Sequence, residues 1–158
     1  MFRQMRRMKQ QVSEEECVRV LREAKRGVLS LIGDVGYPYG VPIDFVYDEA
    51  AGKIYFHSAA EGHKIDAIRA CGKACFTVWQ DNYRKDGDWS WYVTGVIAFG
   101  RAEIVEDRAV VIDKVRKLAL KYYPSAEEVE KEIARDGNRV GLIALTVEHM
   151  TGKLVHEK

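Results

Sequence analysis

Short apolar and β-branched segments recur along the chain between turns rich in glycine and proline, a pattern typical of a protein dominated by strands. The segments at residues 28–32, 41–47 and 53–58 predict three strands joined by tight turns. "KACFTVWQ" predicts a fourth strand, and "RVGLIALTVEHMTGKLV" predicts one or two more at the end of the chain. "WYVTGVIAFGRAEIVED" predicts a long fifth strand, bent or bulged at Gly95 or Gly100.

Helical spacing predicts a few peripheral helices around these strands. The first covers about residues 13–26: Ser13 and Glu16 have capping-box spacing, and Gly27 stands where a glycine often ends a helix. A short second helix lies within "EGHKIDAIRACG". Strands in mostly antiparallel succession with short links favour a small barrel.

Two further helices are predicted from about residue 108 onward. The first presents one apolar stripe at helical spacing and stops at Pro124. That stripe consists of Val111, Val115, Leu118 and Tyr122. Ser125 begins the second helix, with Glu128 in capping-box position.

Composition and charge narrow the possible functions. The 158 residues fit one domain, preceded by a basic arm at residues 1–12 that lacks the apolar segment of a secretory signal. With 25 basic and 24 acidic side chains, the chain lacks the basic surplus of a nucleic-acid-binding protein, and no apolar run is long enough for a membrane span. Three cysteines without a CxxC pair favour a reduced, cytoplasmic compartment, and no metal-ligand spacing is present.

The stretch "FHSAAEGHK" carries the clearest candidate chemistry. It leads from a strand into a helix, and it places Ser58, Gly62, His63 and Lys64 at that junction. Hydroxyl and backbone N–H donors beside a cation are what a bound phosphate requires. No GxGxxG or GxxxxGK[ST] nucleotide motif occurs elsewhere.

Each of these residues also has a purely structural interpretation. Ser58 and Glu61 fit a second capping box, Lys64 fits a solvated helix face, and His57 fits a half-buried strand position. The absence of GxSxG weakens a hydrolase triad but leaves it open. Aromatic residues after the loop, Trp89, Trp91 and Tyr92, fit a core, a dimer interface or the wall of a pocket for a planar ligand.

Three segments resemble the pyridoxamine-phosphate-oxidase-like flavoproteins, and within them the nitroimidazole-resistance group. They are "GYPYGVPIDFVYD", "IYFHSAAEGHKIDAIR" and "VIAFGRAEIVED", and the likeness spans about residues 27–107. The resemblance implies a mostly β fold, a six-stranded antiparallel split β-barrel with flanking helices. It also implies a homodimer that holds two FMN molecules at its interface.

The resemblance also assigns site residues. His57, Ser58, His63 and Lys64 match the positions that hold the FMN phosphate and ribityl chain, and Gly95 matches a flavin contact on the long strand. The backbone beside the isoalloxazine corresponds to Val41, Pro42, Ile43 and Asp44. His57 also matches a histidine near flavin and substrate in the nitroimidazole-resistance group, so it is the candidate catalytic residue.

The departures from the family pattern bear on the reaction. "GVPID" lacks the arginine that opens the second-strand motif of the oxidases, and no counterpart of their C-terminal Trp and Arg segment is present. The sequence therefore favours an FMN-dependent oxidoreductase acting on a small organic acceptor, with nitro compounds as one class, over a pyridoxamine-phosphate oxidase. Two alternatives stay open. One is another planar cofactor, haem or deazaflavin, with His57, His63 or His149 as an axial ligand; the other is a non-catalytic flavin sensor or storage dimer.

Overall fold

A computed structural model describes residues 1–156. In that part of the chain, four α-helices flank seven strands, which form one antiparallel sheet. The elements in chain order are α1 (Glu14–Glu23), β1 (Arg26–Ile32), β2 (Pro38–Asp44), β3 (Val46–Asp48), β4 (Lys53–Ser58), α2 (His63–Ala70), β5 (Lys73–Trp79), β6 (Tyr92–Ile104), α3 (Arg108–Leu120), α4 (Ala126–Asp136) and β7 (Gly141–His156).

The sheet curls into a split barrel. Its strand order is β2-β1-β5-β6-β7-β4-β3, and β2 packs close to β4 although the two strands are not neighbours in the sheet. The predicted mostly β split barrel with flanking helices is therefore confirmed. Seven strands form instead of six because the predicted segment 41–47 breaks at the fully buried Phe45 into β2 and β3.

Aromatic rings fill the inside of the barrel. Phe76 on β5 lies edge-on to Phe45 and to Phe56, with ring centroids 4.7 and 5.1 Å apart. Helix α1 adds the buried Leu21 to this core and α2 adds Ile65. Burial of large aromatic and aliphatic side chains is the main stabilising contribution to such a core.

Helices α3 and α4 cover part of the outside. Val111 of α3 is fully buried against Tyr55 and Leu142, which face outward from β4 and β7. The predicted stripe on α3 thus faces the sheet, and Ser125 accepts a hydrogen bond from the backbone N–H of Glu128 at the start of α4. No helix within residues 1–156 has both the length and the apolar character needed to cross a bilayer.

The prediction that Gly27 ends the first helix is wrong. Ser13 does cap α1, but the helix ends at Glu23, and Gly27 lies within β1 opposite Ile43 and Val78. A Cβ at this position would lie 2.4 Å from the ring of Phe76. Gly27 is therefore required by close packing of β1 on the core.

Candidate functional site

A cleft of about 390 Å³ opens where β2, the end of β4 and the start of α2 meet. It contains six of the nine predicted cofactor-binding residues. Its lining consists of Arg26, Pro42, Ile43, Asp44, His57, Ser58, Ala59 and Lys64. The fold thus brings together the second-strand segment and the strand-to-helix junction.

Because side chains alternate between the two faces of a strand, Ser58 and His57 lie on opposite faces of β4. On β4, Phe56 and Ser58 point into the barrel, whereas His57 points to the outer face with Tyr55. The Ser58 hydroxyl is buried at the cleft and donates to the carbonyl of Ala59 at 2.8 Å. Turning away from that carbonyl would free it to donate to a ligand, since a hydroxyl hydrogen rotates to suit its partner.

The second capping box predicted as an alternative does not form. Helix α2 begins at His63 with Gly62 as its N-cap, and no side chain accepts a hydrogen bond there. Gly62 has φ of +119°, a conformation that L side chains rarely adopt. The first N–H groups of α2 therefore have no side-chain cap at the end of the helix that carries Lys64.

Lys64 is the cation at this end of α2. It is half-buried, and burial lowers the pKa of its ammonium group. No carboxylate among residues 1–156 lies within ion-pair distance of its Nζ. A partly buried ammonium without a carboxylate partner is a natural contact for an anionic ligand.

Arg26 is a second cation at the cleft, and sequence reasoning missed it. Its Nε donates to Oδ1 of Asp44 at 2.7 Å, because the β1–β2 register sets the two residues opposite each other. This pairing holds the Asp44 carboxylate against Arg26 and leaves the other guanidinium nitrogens with no hydrogen bond to the described residues. Arg26 could have been found only from the register of β1 with β2, and a local sequence motif does not show that register.

The imidazole of His57 stands at the edge of the cleft. Burial of its ring is the main cause that lowers its pKa, and Lys64 acts in the same direction while Asp44 opposes it. Although part of the side chain is exposed, the surrounding protein disfavours the charged form. His57 is therefore a neutral imidazole at pH 7, in which one ring nitrogen donates a hydrogen bond and the other accepts one.

Three predicted residues lie outside the cleft lining. His63 turns toward the β1–β2 turn, where its ring stacks on Tyr39 at 4.2 Å between centroids and its Nε2 lies 3.4 Å from Asp34. Val41 is half-buried beside Pro42 on β2. Gly95 pairs with Trp79 and Lys153 on the long β6, away from the strand end at Ser58.

The aromatic residues of the loop before β6 also lie away from the cleft. Trp89 and Trp91 are 68% and 51% exposed, and the guanidinium of Arg84 lies 4.8 Å from the Trp91 ring. Tyr92, by contrast, is buried and stacks on His156. Within one chain, Trp89 and Trp91 therefore do not wall the candidate site.

The protein is thus a split barrel with a cation-bearing cleft at a strand end. The chain belongs to the family described as pyridoxamine 5'-phosphate oxidase, which matches residues 13–154. The resemblance seen in the sequence is thereby confirmed. No curated protein matches the chain at significant similarity.

Solved structures share this fold at low sequence identity. A Bacteroides thetaiotaomicron protein proposed to act in 5-nitroimidazole antibiotic resistance is 20% identical, with a TM-score of 0.76 over 92% of this chain and 87% of its own. The flavocytochrome Anf3 from Azotobacter vinelandii is 19% identical, with a TM-score of 0.79 over 96% and 72% of the two chains. An FAD-binding protein from Mesorhizobium loti is 22% identical, with a TM-score of 0.64 over 92% and 96%.

Proposed function

We propose that the chain is an FMN-binding oxidoreductase that acts as a homodimer on a small organic acceptor. The observation that carries this proposal is Lys64, a half-buried cation without a carboxylate partner at the start of α2, in a cleft shared with Ser58 and Arg26. The family and its flavin-binding structural relatives add support.

The residues of the cleft fit a phosphate and a flat ring system. Lys64 and Arg26 supply positive charge to the phosphate, and Ser58 supplies a hydroxyl. The backbone of Pro42, Ile43 and Asp44 runs beside the ring system. Bound FMN supplies the redox chemistry, passing two electrons from a donor to an acceptor, while the protein binds and orients it. His57, as a neutral imidazole, faces the acceptor and hydrogen-bonds its polar group.

Oxidation of pyridoxamine phosphate is not the reaction we propose, although the chain belongs to the family of that name. "GVPID" lacks the arginine expected in the second-strand motif. Arg26 stands near the cleft, but it is paired with Asp44. An acceptor such as a nitroaromatic compound or a quinone fits the nitroimidazole-resistance likeness better.

An exposed apolar face of the sheet supports the homodimer. Trp79 on β5 and Ile97 and Phe99 on β6 are all exposed, and the strand pairing places them on one face. A cluster of large apolar side chains on a sheet surface marks an interaction site. Gly95 lies on the same face, which suits a contact with a flavin held across the dimer interface.

The test is anaerobic turnover with a reduced nicotinamide dinucleotide as hydride donor and a nitroaromatic or quinone acceptor. We expect acceptor-dependent oxidation of the donor that requires added FMN, with the acceptor gaining two electrons and two protons. His57→Ala should still bind FMN and turn over about tenfold more slowly, the loss expected when one hydrogen bond of roughly 1.5 kcal/mol to the acceptor is removed.

Two results would contradict the proposal in different ways. Bound FMN without turnover for any donor and acceptor pair would favour the non-catalytic flavin sensor or storage dimer. Turnover that is unchanged in His57→Ala would remove His57 from the site while leaving the flavoenzyme intact.

A further inference from the structure

A second chamber of about 260 Å³ lies beside the cleft, between the outer face of the barrel and helices α3 and α4. Its lining is mainly apolar. The apolar side chains are Val115, Leu118, Ala119, Tyr122, Tyr123, Val129, Ile133 and Val140. Ligand pockets in proteins have this character, with few polar groups set in an apolar wall.

The chamber and the cleft share a wall. Asp44 and His57 line both. This follows from strand alternation, because His57 points to the outer face of β4, where α3 packs, while Ser58 points into the barrel. A molecule in the chamber therefore reaches the same imidazole that borders the candidate flavin cleft.

The two spaces differ in charge. The cleft is lined by the cations Arg26 and Lys64, whereas no lysine or arginine of the described chain lines the chamber. The charged groups of the chamber are the carboxylates Asp44, Glu132 and Asp136. Each of these carboxylates is already ion-paired: Asp44 with Arg26, and both Glu132 and Asp136 with Arg135. An anionic molecule therefore meets no cation on the chamber wall that could offset the loss of its hydration, whereas a neutral molecule has no such cost. A cationic molecule can still lie beside the carboxylate oxygens.

Tyr122 contributes a ring surface to the chamber. Its hydroxyl already bonds to three backbone groups: it accepts from the N–H of Phe45 at 3.0 Å and contacts the carbonyls of Phe45 and Lys25. These contacts hold the ring of Tyr122 in place, and they use the one hydrogen that its hydroxyl could donate to a ligand. His57 is thus a neutral polar side chain available to a molecule in the chamber, and the hydroxyl-bearing Tyr123 also lines it.

We infer that this chamber binds a small ring compound that is neutral or cationic, with its polar group directed at His57. Its volume suits a single substituted ring. That the chamber is the acceptor site of the oxidoreductase rests on the proposed function. Binding of a ring compound in the chamber does not depend on flavin.

The test uses benzyl alcohol, benzylamine and benzoate, which share one ring and differ in charge. Binding is measured by NMR chemical-shift titration of the full chain, with bound flavin removed and again with FMN added. We expect benzyl alcohol and benzylamine to bind at least about tenfold more tightly than benzoate. Ala119→Phe, which fills the chamber, should weaken both by at least about tenfold.

Ala109→Phe is the matched control, because Ala109 is exposed on the same helix and lies outside the chamber. It should leave ring binding unchanged. If Ala119→Phe fails to fold, Val140→Phe fills the same space from the segment before β7. Benzoate binding as tightly as benzylamine, or ring binding unaffected by a filling variant that folds, would overturn the inference.

The two proposals fail separately. Ring binding in a chain that does not take up FMN would sustain the chamber and refute the flavin site. FMN uptake in a chain that binds none of the three ring compounds would support the flavin site and refute the ring-binding chamber.

Discussion

Lys64 is the most informative single residue of the candidate site. Burial alone disfavours its charge, and the described chain offers no carboxylate to offset that cost. A bound phosphate would supply the missing partner. The same lysine on an exposed helix face would carry no such implication, since exposed lysines are commonly solvated.

Lys64→Ala should therefore weaken FMN binding by at least about tenfold, since a charge-assisted contact is worth roughly 1.5–3 kcal/mol. Riboflavin, which lacks the phosphate, should bind the variant and the unmodified protein equally well. Fluorescence titration with the two flavins measures both affinities.

Arg69→Ala is the control, since Arg69 is exposed on the last turn of the same helix. Its affinity for FMN should not change. Equal losses of FMN and riboflavin affinity in Lys64→Ala would show that Lys64 acts on the fold or the ring and not on the phosphate.

Local spacing predicted some site residues and missed others for a physical reason. Ser58 and Lys64 are six residues apart across one strand-to-helix junction, so the sequence alone could join them. Arg26 reaches the cleft only through its register with Asp44, which is a property of the β1–β2 pairing. His63 was expected near the phosphate, but its stacking on Tyr39 involves another strand.

Among the elements, the pairing of β6 with β7 contains one β-bulge. Phe99 pairs with His149 and Gly100 with Val147, so Glu148 is an extra residue on β7. A bend or bulge of the long strand at Gly95 or Gly100 was predicted; the register shift does lie next to Gly100, but the extra residue is on β7 and not on β6. A Cβ on Gly100 would lie 1.9 Å from the carbonyl oxygen of Thr146, so the backbone needs glycine there.

Gly100→Ala should lower the free energy of unfolding by about 1–3 kcal/mol, the usual cost of forcing extra volume into a packed site. Gly95→Ala on the same strand should change it by less than about 0.5 kcal/mol, because its nearest neighbour would be 3.9 Å away. Urea denaturation compares the two variants. Equal stability would mean that β7 shifts freely and that the bulge does not constrain the barrel.

Boundaries between elements were the weakest part of the sequence prediction. Gly27 resembles a helix-ending glycine, yet its absent side chain makes room for Phe76, which is far away in the sequence. Phe45 sits in an apolar run that looks like one strand, yet burial of its ring separates β2 from β3. In both cases a tertiary contact outweighed the local pattern.

For the whole molecule, the fold was predictable because the strand pattern and the family resemblance agree, although the sheet also pairs β1 with β5 and β4 with β7, which are distant in the sequence. The presence of two separate cavities beside the barrel could not be predicted from the sequence. Two cavities meet at His57 and Asp44, one lined by an arginine and a lysine and the other by neither, and this follows from where α3 and α4 pack. The exposed apolar face of β5 and β6 likewise appears only once the strands are paired.

Native mass spectrometry of the purified protein, with FMN supplied during preparation, tests the central claim most directly, since it reports subunit number and cofactor mass together. We predict a dimer at twice the 18.0 kDa chain mass that carries two FMN molecules. The measured mass of the bound cofactor also tells FMN from FAD. A chain that retains no flavin after incubation with FMN would contradict the account.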